Sequence, residues 1–86
     1  MFILAFLRAG WENELQKLDV TGLRCPMPLL KAKQALRDLK SGEQLQVFVT
    51  DAASVRDFAV FAKLSGNRLV SSLQEGDTYI HVLEKA

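Results

Sequence analysis

From about position 14 onward the spacing of apolar residues switches repeatedly between a period of two and a helical period, and this switching constrains the fold more than any other feature of the chain. "ELQKLDVTG" alternates through Leu18 and Val20 and is closed by Gly22, the pattern of a short strand. From Pro26 to about Lys40 the apolar residues Leu29, Ala32, Leu36 and Leu39 recur at helical spacing, with Lys31, Lys33, Gln34, Arg37 and Asp38 on the other side. "KSG" closes this helix, with Gly42 expected as its left-handed cap. "EQLQVFVTD" then alternates through Leu45, Val47 and Val49, giving a second strand. Asp51 or Ser54 is placed to cap a second helix running to about Leu64, with Val55, Phe58, Ala59 and Ala62 as its expected inner stripe. "SGN" stops that helix, and "RLVSSLQEGDTYIHVLE" reads as two strands around a Glu75-Gly76-Asp77 turn.

The order β-α-β-α-β-β in a chain of 86 residues leaves room for one modest core. Right-handed crossovers of this length place both helices on one face of a four-stranded mixed sheet, so the expected fold class is α/β, a two-layer α/β sandwich. The organisation expected is an N-terminal apolar extension over residues 1–13 and a single domain over 14–86. "MFILAFL" lacks the basic flank, the length and the cleavage site of a signal peptide or membrane span. Two readings of it stand: a tail or extra strand packed on the domain or on a second copy, or a docking segment for a membrane partner.

Eleven Lys plus Arg against ten Asp plus Glu give a net charge of +1, so no bulk positive field draws in nucleic acid or a membrane surface. There is one cysteine, hence no internal disulfide and no dependence on an oxidising compartment; the cytoplasm is the default. No Gly-rich phosphate loop or metal-ligand spacing occurs, and no cofactor or metal is expected.

The remaining chemistry lies in "GLRCPMPLL", residues 22–30. Pro26 suits the first position of a helix, because its missing N–H has no intrahelical partner there and its φ is already helical. Cys25 is thereby placed at or beside the N-cap, where free N–H groups and the helix dipole favour thiolate, lowering the pKa below that of free cysteine. Arg24 adds a neighbouring cation, and Pro28 stiffens the first turn. A lone cysteine in an intracellular domain is commonly an inert small hydrophobe, and the two readings stand side by side on the residues alone. With no second cysteine and a single histidine, His81, neither a dithiol oxidoreductase nor a Cys-His hydrolase is supported. His81, alternating with Ile80 and Val82, is expected on the uncovered sheet face. A single activated sulfur is left with the role of carrying a group covalently.

"DVTGLRCPMPLLKAKQAL", followed by "GEQLQVFVTDAASVRDFAVFAKLSGNRLV" and a terminal hairpin, resembles the TusA/SirA family of small sulfur carrier proteins, whose signature is Cys-Pro-x-Pro at the start of the first helix. The likeness covers residues 14–86. It implies a β-α-β-α-β-β two-layer fold and a persulfide held on Cys25. A cysteine desulfurase or rhodanese-type donor would supply the sulfane sulfur, and an acceptor protein in tRNA thiolation or another sulfur pathway would receive it. Such a chain is a carrier in a transfer relay rather than a stand-alone catalyst. Docking candidates are Arg24, Met27 and Leu30 around the sulfur and a basic face of Lys31, Lys33, Arg37 and Lys40, which reads equally as solvated surface. Asp51 matches the family's acidic position, as a helix cap, a contact near the sulfur, or both. The alternative class is a noncatalytic RNA-binding or regulatory module of the same fold. Near-zero net charge and the lack of aromatics interleaved on a basic strand weigh against RNA. Tight, salt-sensitive RNA binding unaffected by Cys25→Ser would favour that module.

Overall fold

The computed structural model describes residues 15–86; the apolar extension expected over residues 1–13 lies outside them. The elements are β1 (Leu15–Asp19), α1 (Met27–Arg37), β2 (Gln44–Val49), α2 (Ser54–Ser65), β3 (Arg68–Glu75) and β4 (Thr78–Glu84). They form one four-stranded sheet in the order β1-β2-β4-β3. β1 runs parallel to β2, while β4 is antiparallel to both β2 and β3. This is the expected two-layer α/β sandwich.

Both helices bury a single row spaced four residues apart, Pro28, Ala32 and Leu36 in α1 and Ser54, Phe58 and Ala62 in α2. Residues four apart stack on one side of a helix, so each row lies along the sheet. Leu45, Val47 and Val49 of β2 and Leu83 of β4 meet these rows, and each is at most 1% exposed. Leu18, Leu29, Leu39 and Phe61 pack around the margin.

The helix boundaries and stripes depart from expectation in four places. First, α1 ends at Arg37 rather than near Lys40. Its last turn tightens into bonds three residues apart, Asp38 N–H to Ala35 O at 3.2 Å and Leu39 N–H to Leu36 O at 3.1 Å. Gly42 is therefore not its cap. Gly42 holds φ +92° in the following turn, and its N–H donates to Lys85 O at 2.9 Å. Second, Val55 and Ala59 are exposed, because the α2 row begins one residue earlier, at the polar Ser54. Third, neither Asp51 nor Ser54 is the N-cap of α2. That position is Ala53, and the Asp51 carboxylate accepts the Ala53 N–H at 3.2 Å instead.

The fourth departure is His81, which lies on the covered face and not on the open one. It shares the inward side of β4 with Leu83 and is fully buried beneath α2. Its Nε2 pairs with Ser54 Oγ at 3.0 Å and its Nδ1 with Ser72 Oγ at 2.8 Å, while the ring stacks on Phe58 at 4.7 Å between centroids. Both ring nitrogens are thus matched, which is the condition for burying an imidazole. Burial lowers its pKa, favouring the neutral ring.

Two glycines close the rest of the fold. Gly66, at φ +85°, caps α2 through its N–H to Ala62 O at 3.1 Å. Gly76, at φ +60°, turns the two-residue loop between the paired ends Glu75 and Thr78.

Candidate functional site

Because β1 and β2 are parallel, their C-terminal ends lie side by side, and the two loops that leave them meet. Gly22, Leu23, Arg24, Thr50, Asp51 and Ala52 line a cleft between these loops. Gly22 adopts φ +86°, open to glycine at no steric cost, and donates its N–H to Thr50 Oγ1 at 2.8 Å. The first loop is thereby pinned to the second just before Cys25.

Cys25 follows, exposed, with a cis peptide bond to Pro26. Pro26 is the N-cap of α1 and Met27 its first residue, one position later than expected for the proline, so Cys25 directly precedes the cap. Pro28 sits in the first turn and is fully buried, which makes it a core contact as well as a stiffener. The Cys25 N–H donates to Asp51 Oδ2 at 2.6 Å, and the Cys25 thiol donates to Asp57 Oδ2 at 3.0 Å. Asp51 bridges the two helix starts, since its other oxygen holds Ala53. It is both the contact near the sulfur and a brace for α2, and both of its oxygens are engaged within the chain.

The electrostatics reverse the expectation of a lowered thiol pKa. Cys25 is raised above its ordinary value, first by the hydrogen bond to Asp57, then by desolvation and the negative charges of Asp57 and Asp51, with Arg56 opposing. At the helix tip Pro26 and Pro28 carry no N–H, and the Met27 N–H is taken by Arg24 O at 2.8 Å. The two carboxylates outweigh the one opposing guanidinium, Arg56.

Arg24 is exposed at the cleft. Met27 and Leu30, 41% and 43% exposed, lie on the outer side of α1 close to the sulfur in sequence. Lys31, Lys33 and Arg37 are all exposed on α1 but do not form one face. Lys33 and Arg37 are four residues apart and share a side, whereas Lys31 is about 200° around the helix from Lys33. Lys40 falls beyond the helix, in the turn before β2, where its backbone N–H donates to Glu43 Oε1 at 2.8 Å. Lys33 reaches across to α2, with Nζ 5.9 Å from the centre of the Phe61 ring. Leu29, Lys33, Asp57, Val60, Phe61 and Leu64 line a groove between the helices that runs up to the thiol's partner, Asp57.

Sequence reasoning missed Asp57 and Arg56. The signal was available: in a β-α-β-α order with parallel strands both helices start at the same end of the sheet, so an acid in the first turn of the second helix lies near a cysteine at the start of the first. Among the described residues no group of three or more His, Cys, Asp or Glu is arranged to hold a metal ion. Nor is any described helix long and apolar enough to cross a membrane.

A family model described as sulfurtransferase TusA matches residues 16–85. The chain belongs to the TusA family. Among curated relatives of this TusA-family chain, the sulfur carrier protein TusA of Allochromatium vinosum is 45% identical over 71 residues, covering 83% of this chain and 93% of the relative. The sulfur carrier protein TusA of Pseudomonas aeruginosa is 38% identical over 68 residues, covering 79% of this chain and 86% of the relative. The crystal structure of a SirA-like protein from Desulfitobacterium hafniense superposes with a TM-score of 0.71 at 24% identity, covering 81% of this chain and 95% of that one. At that identity it bears on the fold alone, and it agrees with the TusA-family architecture described above.

Proposed function

We propose that this chain is a sulfur carrier that holds a persulfide on Cys25 and relays sulfane sulfur from a cysteine desulfurase or rhodanese-type donor to an acceptor protein. The observation that carries this reading is the exposed Cys25 thiol, fixed at the start of α1 in a chain whose TusA-family relatives are named sulfur carriers. The site has the parts that a relay needs and few that a self-contained catalyst needs. It presents one accessible nucleophile, and the histidine that could have served as its base is buried under α2.

In the loading step the Cys25 sulfur, after giving up its proton, attacks the outer sulfur of the donor's persulfide. The donor's S–S bond breaks as the new one forms at Cys25, and the donor sulfur leaves as thiolate and takes up a proton. Unloading is the same exchange with Cys25 as the leaving group. No external oxidant or cofactor enters either step.

The docking surface we assign is the side of the helices around the sulfur that carries Arg24, Met27, Leu30, Lys33 and Arg37, together with Val60 and Leu64 across the groove, with Lys31 at its far edge. Leu64 is 81% exposed and lines this groove with Val60. The carrier domain is assigned to residues 14–86 and its place to the cytoplasm, where the acceptor feeds tRNA thiolation or another sulfur pathway.

The test is to incubate the protein with a cysteine desulfurase, cysteine and pyridoxal phosphate, and separately with thiosulfate and a rhodanese, then to record its intact mass. One added sulfur atom, lost on reduction and absent in Cys25→Ser, is expected. A wild-type protein that stays unmodified with every donor rules the carrier reading out.

A further inference from the structure

Asp57 was not among the residues that the sequence singled out, yet its carboxylate accepts a hydrogen bond from the Cys25 thiol at 3.0 Å. It belongs to the first turn of α2, where its own N–H is bonded to Ala53 O at 3.0 Å. The adjacent Phe58 is fully buried and Ser54 is 2% exposed, so the helix that carries Asp57 is anchored on both sides of it. Cys25 is held from the other direction by the bond from its N–H to Asp51. The 3.0 Å contact between thiol and carboxylate is therefore set by two elements that Asp51 ties together at their starts. The charged groups around it are Asp51 and Asp57, Arg56 on α2, Arg24 next in sequence to Cys25, and Lys33, which lines the groove beside Asp57.

We propose that Asp57 is a positioning residue for sulfur exchange that distinguishes the empty carrier, whose thiol it holds, from the loaded carrier, whose outer sulfur it repels. This rests on the carrier reading above. An S–H can donate to a carboxylate. Once Cys25 is loaded, its inner sulfur has no hydrogen left to donate, and the outer sulfur, more acidic than a thiol, is an anion facing another anion. One carboxylate therefore favours the empty state twice, by a bond that only the thiol makes and by a repulsion that only the persulfide meets. The exchange it biases is Cys25–S–S⁻ + R–SH to Cys25–SH + R–S–S⁻, in which one S–S bond breaks, one forms, and protons, charge and electrons balance. Cargo is held loosely, and a partner whose thiol lacks such a neighbour draws it off.

The experiment compares wild type, Asp57→Asn and Asp57→Glu, each checked for folding by thermal unfolding. The first readout is the rate of iodoacetamide alkylation of the empty protein against pH. The second is the fraction of Cys25 persulfide at equilibrium with a fixed ratio of glutathione persulfide to glutathione. Asn keeps the shape of Asp57 but removes its charge. Its alkylation curve is expected to move to lower pH, with a several-fold faster rate at neutral pH, and its loaded fraction to rise several-fold. Asp57→Glu is expected to return both toward wild type. An alkylation curve or a loaded fraction that Asp57→Asn leaves in place overturns the proposal. The two readings fail differently. A protein that takes no sulfur in any variant sinks the carrier reading and this one with it, whereas normal loading with an unmoved Asp57→Asn equilibrium sinks only the role of Asp57.

Discussion

Helix α2 serves two polar clusters from residues three apart in its first turn, and the clusters differ in almost every physical respect. Ser54 faces inward and joins His81 and Ser72 in an arrangement whose histidine is fully buried and matched at both ring nitrogens. Asp57 faces the rim and joins Cys25 and Asp51 where the sulfur is open to solvent. Hydrogen bonds in the first cluster spare buried groups a desolvation penalty, so breaking them registers as lost stability. In the second cluster water can replace any lost partner, so the bonds register as altered reactivity. Similar distances, near 3 Å in both places, thus carry different meanings according to what surrounds them.

Substitutions can pull the two clusters apart. The largest effect belongs to Cys25→Ser, which is expected to abolish sulfur loading by intact mass while leaving the unfolding temperature within about 4 °C of wild type, as for other exposed sites. A large fall in unfolding temperature would show that the rim also carries the fold. Next comes His81→Ala, which leaves a cavity and an unpaired buried hydroxyl at Ser54 and is expected to lower stability by roughly 2–4 kcal/mol in urea unfolding. Below its transition this variant should still load sulfur. Loss of loading in the folded protein would mean that the inner cluster reaches the sulfur.

A smaller effect follows from pH. Burial lowers the pKa of His81, so on acidification the unfolded chain binds a proton before the folded one does. Stability from this group is whole above the unfolded pKa of about 6.5 and declines as pH falls below it. The unfolding temperature of wild type should therefore drop between pH 7 and pH 5.5, and that of His81→Gln should drop less. Equal slopes would show that the imidazole charges without penalty. The smallest expected effect is that of Thr50→Val, which removes the acceptor of the Gly22 N–H at the foot of the sulfur loop and should cost about 0.5–1.5 kcal/mol by urea midpoint.

The same contrast explains what the sequence made legible. Strand and helix order came from periodicity, because Leu45, Val47 and Val49 and the row Ala32 and Leu36 are apolar wherever they are buried. The α2 row was misplaced because its first member, Ser54, is polar, and His81 was placed on the wrong side of β4 for the same reason. Hydropathy marks only the part of a core that is oil, and a matched pair such as Ser54 and His81 becomes visible only once the two elements are brought together. At the rim the reactive sulfur could be singled out from Cys25, Pro26 and Pro28, but the direction of its pKa could not. That direction depended above all on Asp57, 32 residues away in the chain, with the charge of Asp51 adding to it.

The parallel pairing of β1 with β2 gathers the chemistry into residues 21–26 and 50–57 at one end of the sheet, while the turns at 38–43 and 66–67 lie at the other end. The molecule can thus be treated as a chassis with a replaceable tip. Grafts or labels placed in the far turns would sit a full strand length from the thiol, and rewriting the two near segments would give the same frame a different reactivity.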